Sequence, residues 1–396
     1  MEIHFSEKVI LNDCSENFPE VRHIVLKGSN FEIGNKLGEL ARNRHNIVKS
    51  MGKDVILTHC QKIYMQKNYP IFFERMAGMA NDYGTNLDDD SLDFSLLGEP
   101  NMGIGCSAIY YPPDYTLPGH GIISRNLDFS LATAISTNST VTNVPSLSKP
   151  YIIEMYPDRG YPTIILLSFE LLGESLEGIN SEGLTVIHLA DNESPKKYPM
   201  EPTMSNSVGI NEFKAIQLLL DTCSNITEAK QTLLTNKHFY MIQPIHLLVA
   251  DRYGNSFVWE YSHAHNKEYI IDGDNTPQIV TNFLLHRYNS ISEIPQADTN
   301  IRCPYNRYMV LFKSISKNHE KFTLDSIKEV SALAFIKDNS FSNPPPISVR
   351  TLWNSIYDTA DRSLQISFYL RDCTDSNNPG KSKSTYSKYF KFTFDH

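Results

Sequence analysis

The chain has 396 residues, of which 41% are hydrophobic and 20% are charged, and this composition is typical of a globular protein and not of a disordered one. Its formal net charge is −9 and no basic stripe stands out along it, which argues against nucleic acid as a partner. The six cysteines are scattered without a C-x-x-C pair, so the sequence predicts neither a disulfide framework nor a metal site, and no cofactor is expected.

The first residues show no basic region followed by an apolar run, and no stretch approaches the length of uninterrupted apolar residues that spans a bilayer. The sequence therefore predicts neither a signal peptide nor a membrane helix. We expect a cytoplasmic protein without a membrane partner.

The sequence of residues 1–105 predicts a mainly helical segment, which differs from the strand-rich pattern of residues 106–396. A short strand at Ile24–Leu26 is followed by Ser29 and Glu32, which have the spacing of a helix capping box. Apolar residues at helical spacing then predict a helix that reaches residue 51, and further helices over 55–65 and 71–79.

From Cys106 onward the chain is rich in short apolar runs that predict strands, interrupted by a pair of helices. Residues 131–149 are dense in Ser, Thr and Asn and predict a mobile loop. This order predicts an α+β fold in which sheets pack together with helices outside, and the residues alone do not decide between a sandwich and other α+β designs. Strands are predicted at 107–111, 121–126, 151–156, 163–169, 184–189, 246–251 and 256–261, helices at 213–223, 225–234 and 307–316, and a last hairpin at 355–370.

The Gly105-Cys106 pair is the candidate for chemistry, because the chain contains no G-x-S-x-G, H-E-x-x-H, P-loop or G-x-G-x-x-G motif. Arg125 and Asp128 follow at the end of the next predicted strand, which an antiparallel pairing would bring back beside Cys106. An arginine beside a thiol favours the thiolate. The alternatives are that Cys106 packs as a small apolar residue and that Arg125 and Asp128 form a surface ion pair.

At these residues the chain resembles the cholylglycine hydrolase superfamily, which includes penicillin V acylases and bile salt hydrolases. The 105 residues before the cysteine, with the F-E-I-G-x-x-L-G pattern at 31–38, resemble the acyl-coenzyme A:6-aminopenicillanate acyltransferase branch. The remaining matching motifs are Cys106 followed by Arg125-Asn126-Leu127-Asp128, Gly178-Ile179-Asn180-Ser181-Glu182-Gly183-Leu184, the helix pair at 213–234, the hairpin at 246–261, Thr281-Asn282, Asn306-Arg307-Tyr308, and 352–358.

The resemblance implies an N-terminal nucleophile hydrolase with a four-layer αββα sandwich. It implies self-cleavage between Gly105 and Cys106, giving a helical pro-segment of residues 1–105 and a catalytic chain of residues 106–396. The implied catalytic residues are Cys106, Arg125, Asp128, Asn282 and Arg307, with Asn282 donating to the oxyanion. A second asparagine of the bile salt hydrolases has Ala190 at its place here, so a neighbouring amide or a backbone N–H would have to serve.

The expected reaction is cleavage of a linear carbon–nitrogen amide bond in a small N-acyl substrate, through an acyl-enzyme and without a cofactor or metal. The alternatives are an acyltransferase that passes the acyl group to an amine, and an uncut binding protein that keeps the scaffold without activity. A homo-oligomer is possible. Among the histidines, His188 and His246 are predicted to lie in the core, whereas His286 could line a pocket.

Overall fold

A computed structural model describes residues 3–12, 17–47, 54–95, 105–131, 134–137, 140–145, 147–168, 171–172, 175–193, 207–241, 244–262, 265, 267–295, 300–337, 348–374 and 382–394. Within these ranges, two large β-sheets lie face to face and helices cover both outer faces. The predicted α+β class and the four-layer αββα sandwich are confirmed.

The first sheet has nine strands within the described ranges, all antiparallel to their neighbours except for one parallel pair. In spatial order they are β1 (His4–Leu11), β2 (Val21–Gly28), β7 (Tyr151–Pro157), β8 (Thr163–Leu167), β9 (Ser175–Asn180), β10 (Thr185–Ala190), β11 (Ile245–Ala250), β12 (Ser256–Ser262) and β13 (Lys267–Asp272).

The second sheet is antiparallel and carries the candidate nucleophile on β3, the strand next to its edge. In spatial order its described strands are β14 (Gln278–Val280), β3 (Gly105–Tyr111), β4 (Ile122–Ser130), β15 (Val349–Asp358), β16 (Ser363–Thr374) and β17 (Ser382–Tyr386), with β18 (Phe390–Thr393) also paired to β16.

Three clusters of buried apolar side chains fill the spaces between the layers. The first lies between the first sheet and its helices, the second between the two sheets, and the third between the second sheet and its helices. The helices on the first sheet are α1 (Asn30–His45), α2 (Val55–Asn68), α3 (Pro70–Asp82), α4 (Glu212–Thr222) and α5 (Ile226–Thr235), and those on the second sheet are α6 (Pro304–Lys317) and α7 (Leu324–Ala332).

The segment before Cys106 is built into the first sheet, since β2 pairs parallel with β7 over seven residues. Its helices α1 and α3 cross very closely, because Gly34 faces the backbone of α3: a Cβ there would lie 2.0 Å from the Arg75 carbonyl oxygen. Arg75 is fully buried and donates to both oxygens of Asp221 on α4, at 2.8 and 3.0 Å. A buried ion pair therefore joins residues 1–105 to the rest of the molecule.

Two sequence predictions need correction. The helix predicted to reach residue 51 ends at His45, where Asn46 adopts a left-handed conformation with φ of 52° and caps α1; residues 48–51 lie outside the described ranges. The loop predicted over 131–149 contains a two-stranded sheet of β5 (Ala134–Thr137) and β6 (Thr140–Pro145). Serine and threonine content suggested a loop, but threonine and valine also favour strands. The capping box of Ser29 and Glu32 is present as predicted.

Candidate active site

Cys106 and Arg125 meet on the inner face of the second sheet. In the β3–β4 ladder, Cys106 lies opposite Leu127 and Ala108 lies opposite Arg125, so the two side chains are diagonal neighbours on one face. The Arg125 Nη2 donates to Cys106 Sγ at 3.5 Å, and both residues are buried. This geometry agrees with the sequence prediction, in which the end of the second strand returns beside the cysteine.

Glu177 holds Arg125 in place and was missed at the sequence level. This fully buried carboxylate extends from β9 across the sandwich, with its Oε1 3.3 Å from Arg125 Nη1. It also accepts hydrogen bonds from Trp353 Nε1 at 2.7 Å and from the Ser355 hydroxyl at 2.9 Å. In the sequence, Glu177 is a single acidic residue directly before the G-I-N motif at 178–180, and no strand was predicted there.

Asp128 of β4 and Arg307 of α6 meet on the other face of the second sheet. Asp128 is opposite Gly105 in the ladder and accepts a hydrogen bond from the Thr351 hydroxyl at 2.5 Å. Its second oxygen is 3.9 Å from Arg307 Nε. A Cβ at Gly105 would lie 3.3 Å from both Asp128 Oδ2 and Arg307 Nη2, so this ion pair encloses the residue that precedes the nucleophile. Gly103 and Ile104, directly before Gly105, lie outside the described ranges.

Asn282 reaches the main chain of Cys106. Its Oδ1 accepts the Cys106 N–H at 2.8 Å and also a hydrogen bond from Arg307 Nη2, and its Nδ2 donates to the Ala190 carbonyl at 2.7 Å. An N–H can only donate and a carbonyl can only accept, so these contacts fix which end of the amide faces which group.

Asn282 has two side-chain N–H groups, and one of them is donated to Ala190. The oxyanion-donor role expected for Asn282 therefore stays a prediction. In the register of β14, Val280 lies opposite Ala108, and continuing that antiparallel ladder puts Asn282 beside Cys106. The backbone of Ala190 forms a hydrogen bond that lowers the pKa of the Cys106 thiol.

Burial controls the charges of the site. It raises the pKa of the Cys106 thiol, against the lowering effect of the Arg125 charge. Burial likewise raises the pKa of Asp128 and of Glu177, opposed mainly by Arg307 and by Arg125 respectively. A thiol with a raised pKa stays protonated near neutral pH, so it needs a base before it can attack a carbonyl.

The three histidines that the sequence analysis singled out belong to the core or to a cleft. His188 is buried against Phe213, and burial together with the Arg125 charge lowers its pKa to about 3, so it is a neutral core residue as predicted. His246 is buried too, but it is paired with Glu260 at 2.8 Å. His286 bonds the same carboxylate and lines a cleft of about 510 Å³ between the β13–β14 connection and residues 285–294.

Within the described ranges, one group of side chains could hold a metal ion: His120, Asp358 and Asp361. Asp358 already accepts two main-chain N–H groups of its own turn, and the group lies at the opposite end of β4 from Asp128. Among the described residues, no helix is long and apolar enough to cross a lipid bilayer.

The fold is that of αββα enzymes of the N-terminal nucleophile hydrolase type, a class that cleaves linear amides or transfers acyl groups. The model of the acyl-coenzyme A:6-aminopenicillanic acid acyl-transferase family matches residues 117–371, and the chain belongs to that family. The matched region contains Arg125, Asp128, Asn282 and Arg307, and Cys106 lies just before it. A comparison with curated protein sequences gives no match.

Solved structures that resemble the chain are distant in sequence. Penicillin V acylase from Agrobacterium tumefaciens is 14% identical with a TM-score of 0.43, covering 72% of this chain and 86% of that one. A mutant conjugated bile acid hydrolase from Clostridium perfringens is 12% identical with a TM-score of 0.45, covering 73% and 97%. A Caenorhabditis elegans N-acylethanolamine-hydrolyzing acid amidase ortholog is 14% identical with a TM-score of 0.38, covering 64% and 93%.

Proposed function

We propose that the protein is a self-processing cysteine amidohydrolase that exposes Cys106 as its N-terminal nucleophile and cleaves a small N-acyl amide. The observation that carries the proposal is that both reactive atoms of one buried residue are held by polar groups. Arg125 contacts the sulfur of Cys106, and Asn282 accepts its main-chain N–H. A cysteine that serves only packing needs no cation at its sulfur.

Self-cleavage would begin with attack of Cys106 Sγ on the Gly105 carbonyl carbon. The peptide C–N bond then breaks, the thiol proton moves to the Cys106 nitrogen, and a thioester remains. Water hydrolyses this thioester, which restores the thiol and leaves Gly105 as a carboxylate. Asp128 and Arg307 enclose Gly105, and their role is to orient the peptide that breaks.

The freed α-amine would then act as the base that the buried thiol lacks. An α-amino group has a pKa of about 7.7–8.0 in model peptides, so it can take a proton near neutral pH. Asn282 Oδ1, already 2.8 Å from this nitrogen, orients the amine toward the sulfur. The sulfur attacks the substrate carbonyl, the proton passes to the leaving amine, and water resolves the acyl-enzyme. The Ala190 backbone and Arg125 stabilise the negative charge that develops.

The test is the intact mass of the purified protein together with its activity on N-acyl amino acids. We expect two chains, 1–105 and 106–396, and release of the amine from the substrate. Cys106→Ala is expected to remain one full-length chain without activity. A wild-type protein that stays uncut and is nonetheless active would contradict the mechanism.

The second candidate function is acyl transfer to an amine, and the match to an acyltransferase family favours it. Both reactions share the acyl-enzyme and differ only in what attacks it. The same assay with added acceptor amine separates them, since a transferase forms a new amide faster than free acid. A cytoplasmic location and assembly into homo-oligomers remain part of the proposal and are tested by fractionation and by light scattering.

A further inference from the structure

A buried carboxylate outside the proposed catalytic set gathers four hydrogen bonds close to Asn282. Glu260 on β12 has no exposed surface. Its Oε1 accepts from His246 Nδ1 at 2.8 Å and from the Leu285 N–H at 2.7 Å. Its Oε2 accepts from the His286 N–H at 3.1 Å and from His286 Nδ1 at 2.7 Å.

The donors come from both sheets. His246 lies directly opposite Glu260 in the β11–β12 ladder and is therefore part of the first sheet. Leu285 and His286 belong to the segment that leaves β14 of the second sheet, and only two residues separate Leu285 from Asn282. Glu260 thus ties the segment that carries Asn282 to the opposite sheet of the sandwich.

A second carboxylate continues the same pattern. Glu193, just after β10 of the first sheet, accepts the Leu284 N–H at 3.1 Å. Three consecutive main-chain N–H groups, at residues 284, 285 and 286, therefore all donate to carboxylates of the first sheet. Hydrogen bonds with an ionised partner are the strong ones, so this segment has little freedom to shift relative to β10 and β12.

The charge state suits this role. Burial tends to raise the pKa of Glu260, but the hydrogen bonds from His246 and His286 outweigh it and hold the pKa at about 2. Burial tends to lower the pKa of His246, and the bond to Glu260 raises it above the ordinary value. Glu260 is accordingly an ionised acceptor at any physiological pH, with four donors directed at two oxygens.

We infer that Glu260 is a positioning residue for the nucleophile: by fixing the main chain after Asn282, it sets the contact between Asn282 Oδ1 and the Cys106 nitrogen. It reaches neither Cys106 nor substrate and acts through Asn282. The inference rests on the proposed function, in which Asn282 orients the Cys106 nitrogen. Side chains supported in this way keep a reactive geometry to within fractions of an ångström.

The experiment measures the rate constant of self-cleavage by pulse-labelled cell-free synthesis and chase, which needs no known substrate. Glu260→Gln keeps the shape of the side chain but turns one acceptor oxygen into a donor that faces N–H groups. We expect self-cleavage to slow by about 10- to 100-fold, with a folded chain by circular dichroism. The matched control is Glu154→Gln, a buried glutamate on β7 whose partner is also a histidine, His23, at 2.8 Å, and it is expected to cleave at the wild-type rate.

A double-mutant cycle separates positioning from general support of the fold. If Glu260 acts through Asn282, then Glu260→Gln placed on Asn282→Ala should slow cleavage no further, because the contact it serves is already gone. If the two substitutions slow cleavage by independent factors that multiply, the inference is wrong. It is also wrong if Glu260→Gln alone cleaves at the wild-type rate.

A second variant serves if Glu260→Gln fails to fold. His286→Phe keeps a ring on Tyr269 and removes one donor to Glu260. It is expected to slow cleavage about threefold to tenfold, with the same non-additivity on Asn282→Ala. An uncut wild-type chain contradicts the proposed function itself, whereas a wild-type chain that cuts beside an unimpaired Glu260→Gln contradicts only this inference.

Discussion

At the scale of single residues, the reactive geometry of Cys106 depends on groups that are far away in sequence and are supplied by both sheets. Arg125 arrives from the adjacent strand, and the carboxylate that holds it, Glu177, comes from the opposite sheet. The Arg125 guanidinium is fully buried. A buried cation without a counter-charge is strongly unfavourable, so Glu177 has to be present for Arg125 to stay beside the sulfur.

Glu177→Gln is therefore expected to impair both stability and chemistry. Loss of the counter-charge should lower the free energy of unfolding by about 3 kcal/mol and slow self-cleavage by about 10-fold or more, since Arg125 can turn away from the thiol. Ser355→Ala removes one hydrogen bond from the same carboxylate and should cost only about 1 kcal/mol. Thermal unfolding and gel densitometry on both variants check this; equal effects of the two substitutions would contradict it.

At the scale of elements, Gly34 of the F-E-I-G-x-x-L-G pattern and Gly78 on α3 explain how α1 and α3 pack. Gly34 faces the Arg75 carbonyl with no room for a methyl group, and a Cβ added at Gly78 on α3 would likewise lie 2.0 Å from the Phe31 carbonyl oxygen. The two helices thus approach backbone to backbone, and this contact holds Arg75 where it reaches Asp221. The pattern is a packing device, and no catalytic side chain comes from it.

Gly34→Ala and Gly38→Ala give opposite expectations within one helix. A Cβ at Gly34 would overlap the α3 backbone, so the helices must separate, and we expect a loss of about 3 kcal/mol or more. A Cβ at Gly38 meets its nearest atoms at 3.3–3.5 Å, and alanine is favoured over glycine in a helix by up to about 1 kcal/mol. Gly38→Ala should therefore be close to neutral. Denaturant unfolding of both variants decides the matter, and a Gly34→Ala protein as stable as the wild type would disprove the close packing.

At the scale of the whole molecule, the sequence predicted the layers better than the contacts between them. Period-two and helical patterns, together with the family resemblance, led to the sandwich and to the residues around Cys106. The role of Asn282 was inferred by analogy, and only the register of β14 against β3 reveals that its carbonyl end faces the nucleophile. Glu177 and Glu260 were assigned no role, although Glu260 lies in the hairpin motif at 246–261, because the sequence does not show which partner a strand glutamate meets on the opposite sheet.

The two chains expected from self-cleavage should remain one particle. β1 and β2 complete the nine-stranded sheet, and the Arg75–Asp221 pair is buried between the two parts. We expect fragments 1–105 and 106–396 to elute together in size-exclusion chromatography under native conditions and to separate only in denaturant. Arg75→Met leaves Asp221 without its cation and should lower the denaturant concentration at which they part; separate elution of the wild-type fragments without denaturant would contradict this arrangement.

The parallel pairing of β2 with β7 has a further consequence for how the protein must be made. Without residues 1–105, β7 would become the border of the sheet, and its mostly buried run from Tyr151 to Met155 would offer unpaired backbone groups to other chains. Such a long, apolar border strand is a template for aggregation. Residues 106–396 produced alone are therefore expected to be poorly soluble, and the proposed cut is expected to follow folding. Residues 1–105 would then stay in place as a cover for this strand edge.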